Sequence, residues 1–188
     1  MISFIGNIGA GKSTLIKTLS MMNERYIPYL EPIEIWQDSG LLDLLYKDPE
    51  GYAFSFQVLA LLTRLNQYNE FSKNKENKIM LWERDIESDV IFHNVLKEQK
   101  CISSLEIDIL NHSYKPKPLL KIYIRTAPEV CLHRILSRGR PEEKNITYEY
   151  LQKLHNEHEK LIKDCYVIDG ENIDINEVIK KINELYNI

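Results

Sequence analysis

Eight residues near the start of the chain, Gly6-Asn7-Ile8-Gly9-Ala10-Gly11-Lys12-Ser13, fit the spacing G-x-x-x-x-G-K-[ST]. Glycines at these positions let backbone N–H groups converge on phosphate oxygens at the positive end of a helix dipole. Lys12 would reach the β- and γ-phosphates, the Ser13 hydroxyl would ligate Mg²⁺, and Thr14 follows directly. This is chemistry for a nucleoside triphosphate. It leaves open what accepts the phosphate.

Other residues could supply the acceptor side. Glu31 lies in "LEPIEIW" and the pair Glu83-Arg84 in "LWERD". Arg134, Arg138 and Arg140 fall within "HRILSRGRPEE". Alone, such arginines read as a solvated basic helix end; beside a triphosphate they supply neutralising charge. Gln57, Ala60 and Arg64 in "FQVLALLTR" are spaced i, i+3, i+7 and share a helix face. An amide and a guanidinium in line on an apolar helix mean either a structural ion pair or a polar ligand lying along that face. Aromatic side chains would give a nucleobase a flat stacking surface.

These residues need a scaffold. "ISFI" (2–5) reads as a buried strand, followed by a glycine-rich turn and a helix to about residue 22. "YIPYLEP" (26–32) reads as a second strand stopped by Pro32. Residues 41–46 predict a short helix and 52–72 a long one. "NKIMLWER" (77–84) predicts a strand leading into a helix over 85–98, and 103–114 a further helix. Residues 118–126 predict a strand, and Pro128 opens the next helix. A charged loop over 137–145, a helix over 147–164, the strand "CYVID" and a helix over 174–186 complete the pattern. Continuously apolar strands alternating with helices indicate a parallel sheet covered on both faces. Ligands then sit beyond the carboxyl ends of the strands, where Glu31, Glu83 and Arg84 would gather.

With 188 residues, 44% hydrophobic and 28% charged, the composition is that of one soluble globular domain. The net charge of −4 disfavours a surface that coats nucleic acid. Cys101, Cys131 and Cys165 are odd in number and lack CxxC spacing, so free thiols in a reducing compartment are expected. No apolar run is long enough to span a bilayer, and "MISFIGNIGAGKST" leaves no room for a signal peptide, so the expected location is cytoplasmic.

"GNIGAGKST", "EPIEIW", "FQVLALLTR", "ERDIESD" and "RILSRGRPEE" occur in that order. The set resembles the deoxynucleoside kinase family of the deoxycytidine, deoxyguanosine and insect multisubstrate type, over nearly the whole chain. The resemblance implies ATP-dependent phosphorylation of a deoxynucleoside 5′-hydroxyl. It also implies a P-loop NTPase-type three-layer sandwich with a five-stranded parallel sheet, an arginine-rich lid at about 137–146, and a homodimer. It implies that Glu31 is the general base, that Glu83 contacts Mg²⁺ with Ser13 and rivals Glu31 as proton acceptor, and that Arg84 holds the 5′-oxygen and the incoming phosphoryl. Tyr46 and Glu143 would bind the 3′-hydroxyl, Phe92 would stack on the base, and Trp36 and Phe56 would line the pocket. Arg134, Arg138 and Arg140 would close over ATP, and the backbone of Glu171, Asn172 and Ile173 would touch adenine. Arg64 would pair with Asp89 against the base while Gln57 reads its edge, which favours amino-bearing bases over thymine. Asp85 stands where the family has serine, and Val90 where it often has arginine.

Two alternatives stand beside this reading: a nucleoside monophosphate kinase of thymidylate type, and a kinase-like accessory subunit without activity. A Glu31 carboxylate at the acceptor oxygen would repel a monophosphate, and intact Lys12, Ser13, Glu31 and Arg84 oppose the second. His155 and His158 in "HNEHEK" have i, i+3 spacing, which reads as a solvated helix face rather than a zinc helix. The Asn111 and Asn145 glycosylation triplets have no meaning without secretion.

Overall fold

The computed structural model describes residues 1–161 and 164–186. Five parallel strands, β1 (Ile2–Ile5), β2 (Tyr26–Tyr29), β3 (Ile79–Glu83), β4 (Leu120–Arg125) and β5 (Tyr166–Asp169), form one sheet in the order β2-β3-β1-β4-β5. Helices α1 (Lys12–Met22), α2 (Ile33–Asp38), α3 (Leu41–Lys47), α4 (Pro49–Lys73), α5 (Val90–Glu98), α6 (Ser104–Asn111), α7 (Pro128–Arg138), α8 (Tyr148–Leu161) and α9 (Ile175–Tyr186) surround it.

Strand β3 shows why its apolar run is continuous. Ile79 and Leu81 pack toward α1 and α9, while Met80 and Trp82 pack toward Phe71 of α4. Both faces are covered, so neither alternate set meets water. Burying side chains of this size contributes about 1.5–3 kcal/mol each. The chain leaves β1 toward β2 and leaves β3 toward β4, on opposite sides of β1. The loops therefore diverge and leave a crevice at the carboxyl ends of the strands.

Local chemistry moves several boundaries. Helix α4 starts at Pro49 rather than residue 52, because the Asp48 carboxylate accepts from the Gly51 N–H at 3.2 Å and proline suits the first turn. The expected helix over 85–98 is broken. The Asp85 side chain caps a 3-10 turn over Ile86–Asp89, accepting from the Ser88 N–H at 2.8 Å, and α5 begins only at Val90. The expected strand over 26–32 ends at Tyr29, and α2, which six residues are too few to announce by periodicity, follows Pro32. The expected strand over 77–84 shortens to 79–83 and that over 118–126 to 120–125. Ser103 and Glu106 form a capping box that starts α6, which stops at Asn111 rather than 114. The expected loop over 137–145 contains the end of α7, terminated by Gly139 at φ +66°, and a 3-10 turn over Pro141–Asn145. Residues 162–163 of the expected 147–164 helix, and 187–188 of the expected domain, lie outside the described residues.

The reading of "HNEHEK" as a solvated face is corrected. His158 is 1% exposed and stacks on Tyr123 with ring centroids 5.5 Å apart, and Glu157 is also buried. Two of the six polar residues turn inward because α8 crosses the sheet at Tyr123, which the residue types alone do not disclose. Cys101, Cys131 and Cys165 are free thiols. Among the described residues no helix is long and apolar enough to cross a membrane.

Candidate active site

The glycine-rich loop joins β1 to α1 as the spacing requires. Gly9 has φ +80°, and a Cβ there would come within 2.6 Å of the Cys131 carbonyl oxygen, so only glycine lets α7 approach this closely. Lys12 is buried. Its ammonium donates to the Asn7 carbonyl at 2.9 Å and the Gly6 carbonyl at 3.3 Å, with Glu83 Oε1 at 3.9 Å. Burial, reinforced by the charge of Arg84, lowers the Lys12 pKa to about 8 despite Glu83 and Glu31.

The acceptor-side residues converge on the same crevice. Ser13 Oγ donates to Glu83 Oε1 at 2.8 Å, and Glu83 Oε2 accepts from the Glu31 backbone N–H at 3.3 Å. Arg84 has φ +61°, a left-handed conformation that costs a non-glycine residue about 1–3 kcal/mol. It is held by its backbone N–H on the Phe4 carbonyl at 3.0 Å, and its side chain by Nε on Glu31 Oε1 at 2.7 Å and Nη2 on the Gly6 carbonyl at 3.2 Å. The guanidinium carbon lies 4.3 Å from the centre of the Phe92 ring. Arg84 Nη1 is buried with no partner among the described residues.

Arg64 splits its terminal nitrogens between two carboxylates. Nη1 lies 2.9 Å from Asp89 Oδ1 and 3.1 Å from Oδ2, while Nη2 lies 3.1 Å from Glu31 Oε1. The Arg64–Asp89 contact is the pairing the family resemblance implies; the link from Arg64 to Glu31 had no sequence signal, because it joins α4 to a loop 33 positions away. Burial alone would raise the Glu31 pKa, but Arg84, Lys12 and Arg64 together hold it down at about 2. Asp89 goes the other way: burial lifts it to about 6 against the pull of Arg64 and Arg84.

A cavity of about 690 Å³ connects these groups to the glycine-rich loop. Gln57, Ala60 and Arg64 line it from α4, Trp36 and Phe56 meet edge to face at 5.3 Å in its wall, and Tyr46, Phe92 and Glu143 also reach it. Glu143 is buried and takes Arg138 through two bonds of 2.6 and 2.7 Å and Arg140 through one of 3.2 Å. Arg134 differs from those two: it is fixed on the Ala10 carbonyl at 3.2 Å and the Gly170 carbonyl at 3.0 Å, which ties the 170–173 turn to the loop. The Glu171, Asn172 and Ile173 turn itself does not line the cavity. Tyr150 of α8 lines it too, a residue no motif marked. Asp85 does not line the cavity: it is fully buried and serves as the cap described above.

A glycine-rich loop on β1 with carboxylates at the ends of β2 and β3 defines a P-loop phosphotransferase. The chain belongs to the deoxynucleoside kinase family, whose model, described as "Deoxynucleoside kinase", matches residues 2–187. It is 40% identical over 172 residues to a probable deoxycytidine kinase of Fowlpox virus, covering 87% of this chain and 72% of that protein. It is 35% identical over 190 residues to deoxycytidine kinase of Homo sapiens, covering 84% and 73%. A solved structure of deoxyadenosine kinase from M. mycoides, with products dCMP and a flexible dCDP bound, superimposes with TM-score 0.80 at 28% identity, covering 100% of this chain and 99% of that one. The protein is a kinase of deoxynucleosides that draws its phosphoryl group from a nucleotide.

Proposed function

We propose that this kinase transfers the γ-phosphoryl of ATP to the 5′-hydroxyl of deoxynucleosides with amino-bearing bases (deoxycytidine, deoxyadenosine or deoxyguanosine) in preference to thymidine, within nucleotide salvage in the cytoplasm. One observation carries the preference: Arg64 bridges Asp89 and Glu31 on the α4 face that also presents Gln57 to the cavity. With Arg64 held this way, Asp89 offers an acceptor to an exocyclic amino group. Thymine would set a carbonyl oxygen against that acceptor and leave both unpaired, a mismatch of roughly 1–3 kcal/mol or more. Gln57 reads the base edge, Phe92 stacks on it, and Trp36 and Phe56 form the wall. Tyr46 and Glu143 take the 3′-hydroxyl.

In the transfer, the 5′-oxygen forms a bond to the γ-phosphorus as the bond to the ADP oxygen breaks, and the hydroxyl proton passes to Glu31. The Glu31 carboxylate, held near pKa 2 by Arg84, Lys12 and Arg64, is a weak base. That suits a loose transition state in which the proton leaves late, so orientation matters more than basicity. Lys12, Arg84, Arg138 and Arg140 neutralise the phosphoryl oxygens, and Arg134 holds the loop that cradles them. The adjacent hydroxyl of Ser13 and carboxylate of Glu83 are hard oxygen donors of the kind Mg²⁺ takes. Mg²⁺ held by Ser13 and Glu83 would supply positive charge to offset that of the phosphates.

We also read residues 1–188 as a single kinase domain with a lid at about 137–146, acting as a homodimer. Leu62 of α4 and Leu105 and Ile109 of α6 are 53%, 71% and 54% exposed on neighbouring helices, and a second copy would cover them. Sedimentation of wild type against Leu62→Asp with Ile109→Asp tests this; a wild-type monomer would end it. Substrate choice is tested by a coupled ADP assay over the four deoxynucleosides and dTMP with ATP and Mg²⁺. A preference for thymidine, or for dTMP, would overturn the assignment.

A further inference from the structure

Helix α4 carries a second polar row beside the one that faces the cavity. Thr63 and Gln67 are four positions apart and share a helix face. Thr63 Oγ1 accepts from the Trp36 indole N–H at 3.1 Å and is itself anchored on the Leu59 and Ala60 carbonyls, each at 2.9 Å. Gln67 uses both ends of its amide: Nε2 donates to the Leu30 carbonyl at 2.7 Å, and Oε1 accepts from the Trp82 indole N–H at 3.3 Å.

What these residues hold is the informative part. Leu30 immediately precedes Glu31, and Trp82 immediately precedes Glu83. Between the end of β2 at Tyr29 and the start of α2 at Ile33 the chain has no strand partner. No strand pairing therefore holds Glu31, whose own N–H rests on the Glu83 side chain at 3.3 Å, although the whole cluster of buried charge is centred on its carboxylate. The backbone on its N-terminal side is pinned by Gln67, and the aromatic wall five residues further on is pinned by Thr63. The two amide ends of Gln67 are not interchangeable, since one faces a carbonyl and the other an N–H. Its orientation is thereby determined, and a carboxylate could satisfy only one of the two contacts.

We propose that Thr63 and Gln67 are positioning residues for the transfer. Gln67 sets where Glu31 stands relative to the acceptor oxygen, and Thr63 sets the Trp36 wall against which the base lies. The proposal rests on the assignment of Glu31 and Trp36 to the acceptor site. Displacing a reacting group by about 1 Å can lower a rate up to about a hundredfold, so contacts of this kind are felt without touching substrate.

The test is a steady-state series on the full chain. Gln67→Glu keeps the acceptor for Trp82 and loses the donor to Leu30, with little change of volume. It should lower kcat by about tenfold or more while leaving the KM for ATP unchanged. A protonated glutamic acid regains the donor, so the ratio of variant to wild-type kcat should rise as pH falls toward the carboxylate range. Thr63→Val leaves the Trp36 indole unpaired and should raise the KM for the deoxynucleoside by about fivefold or more, again with the KM for ATP unchanged, whereas Thr63→Ser should behave as wild type. If Gln67→Glu and Thr63→Val shift only the melting temperature, with kcat and both KM values within about twofold of wild type at a temperature where all are folded, the two residues are ordinary packing and the proposal fails. Glu31→Gln in the same series separates the underlying assignment. If Glu31→Gln leaves kcat intact, it is the acceptor role of Glu31 that fails, whatever Gln67 does.

Discussion

Replacing the two members of the Arg64–Asp89 pair one at a time should have unequal consequences. Breaking an isolated buried ion pair costs about 3–5 kcal/mol from either side, because each partner is left stranded. Here Arg64 has a second carboxylate. In Asp89→Ala, Arg64 keeps Glu31 at 3.1 Å and loses only the partner of Nη1. That is one unsatisfied charged donor, worth about 1–3 kcal/mol. In Arg64→Met, Asp89 loses the only cation that bonds it among the described residues, and Glu31 keeps Arg84 at 2.7 Å but gives up its second guanidinium. The cost should approach the full 3–5 kcal/mol. The gap of about 2 kcal/mol between the single variants is readable from urea midpoints near neutral pH. The combined variant removes one charge of each sign and should recover much of the loss. It also opens the base pocket, so the ratio of kcat/KM for thymidine to that for deoxycytidine should rise, even though kcat falls for both as Glu31 loses a neighbour. Equal destabilisation by the two single substitutions would refute the shared-cation account. A folded double variant whose selectivity ratio is unchanged would refute the base-reading role.

Three further outcomes follow from the charge arrangement. Glu31→Gln should lower kcat on the order of 10²–10⁴-fold with little change in ATP affinity; a loss under about tenfold would instead mean Glu83 as base, or no discrete base at all. Lys12, lowered by burial to about pKa 8, should be driven back to its charged form by a bound nucleotide. ATP affinity should therefore weaken as pH rises from about 7 to 9, with net proton uptake in calorimetry near pH 8, and a flat affinity would contradict this. Asp89 binds its proton more tightly folded, at about 6, than its ordinary value of 3.8 allows, so its contribution to stability is full below that value and is lost as pH climbs to 6. Glu31, at about 2 against an ordinary 4.5, works in the opposite direction and is complete above 4.5. Between pH 4.5 and 6 the Asp89 share falls by about 2 kcal/mol, against a rise from the buried His93 and His158, which burial lowers to about 4 and about 3, so Asp89→Asn should make stability climb more steeply with pH in urea melts.

The succession of strands and helices along the chain, the phosphate loop and the residue types at the strand ends were legible in the sequence, because each has a local cause. Glycines and a lysine at fixed spacing make a phosphate cradle whatever surrounds them. Apolar strands alternating with helices admit few packings, and helical periodicity alone put Gln57 and Arg64 on one face. Local chemistry also moved a boundary where capping decided the outcome, as at Asp85, whose carboxylate closes a 3-10 turn and breaks the helix expected over 85–98. What the linear chain could not disclose was how charge is shared. That Arg64 serves Glu31 as well as Asp89, that Arg134 is fixed on backbone carbonyls while Arg138 and Arg140 rest on Glu143, and that His158 lies buried against Tyr123 all depend on contacts between residues far apart in sequence. The same holds for Thr63 and Gln67, ordinary polar residues of a long helix until β2 ends early and leaves the Glu31 loop without strand pairing. A side chain's type is local, but its partners, and with them its pKa and its role, are set by the packing of elements that meet only when the chain has folded.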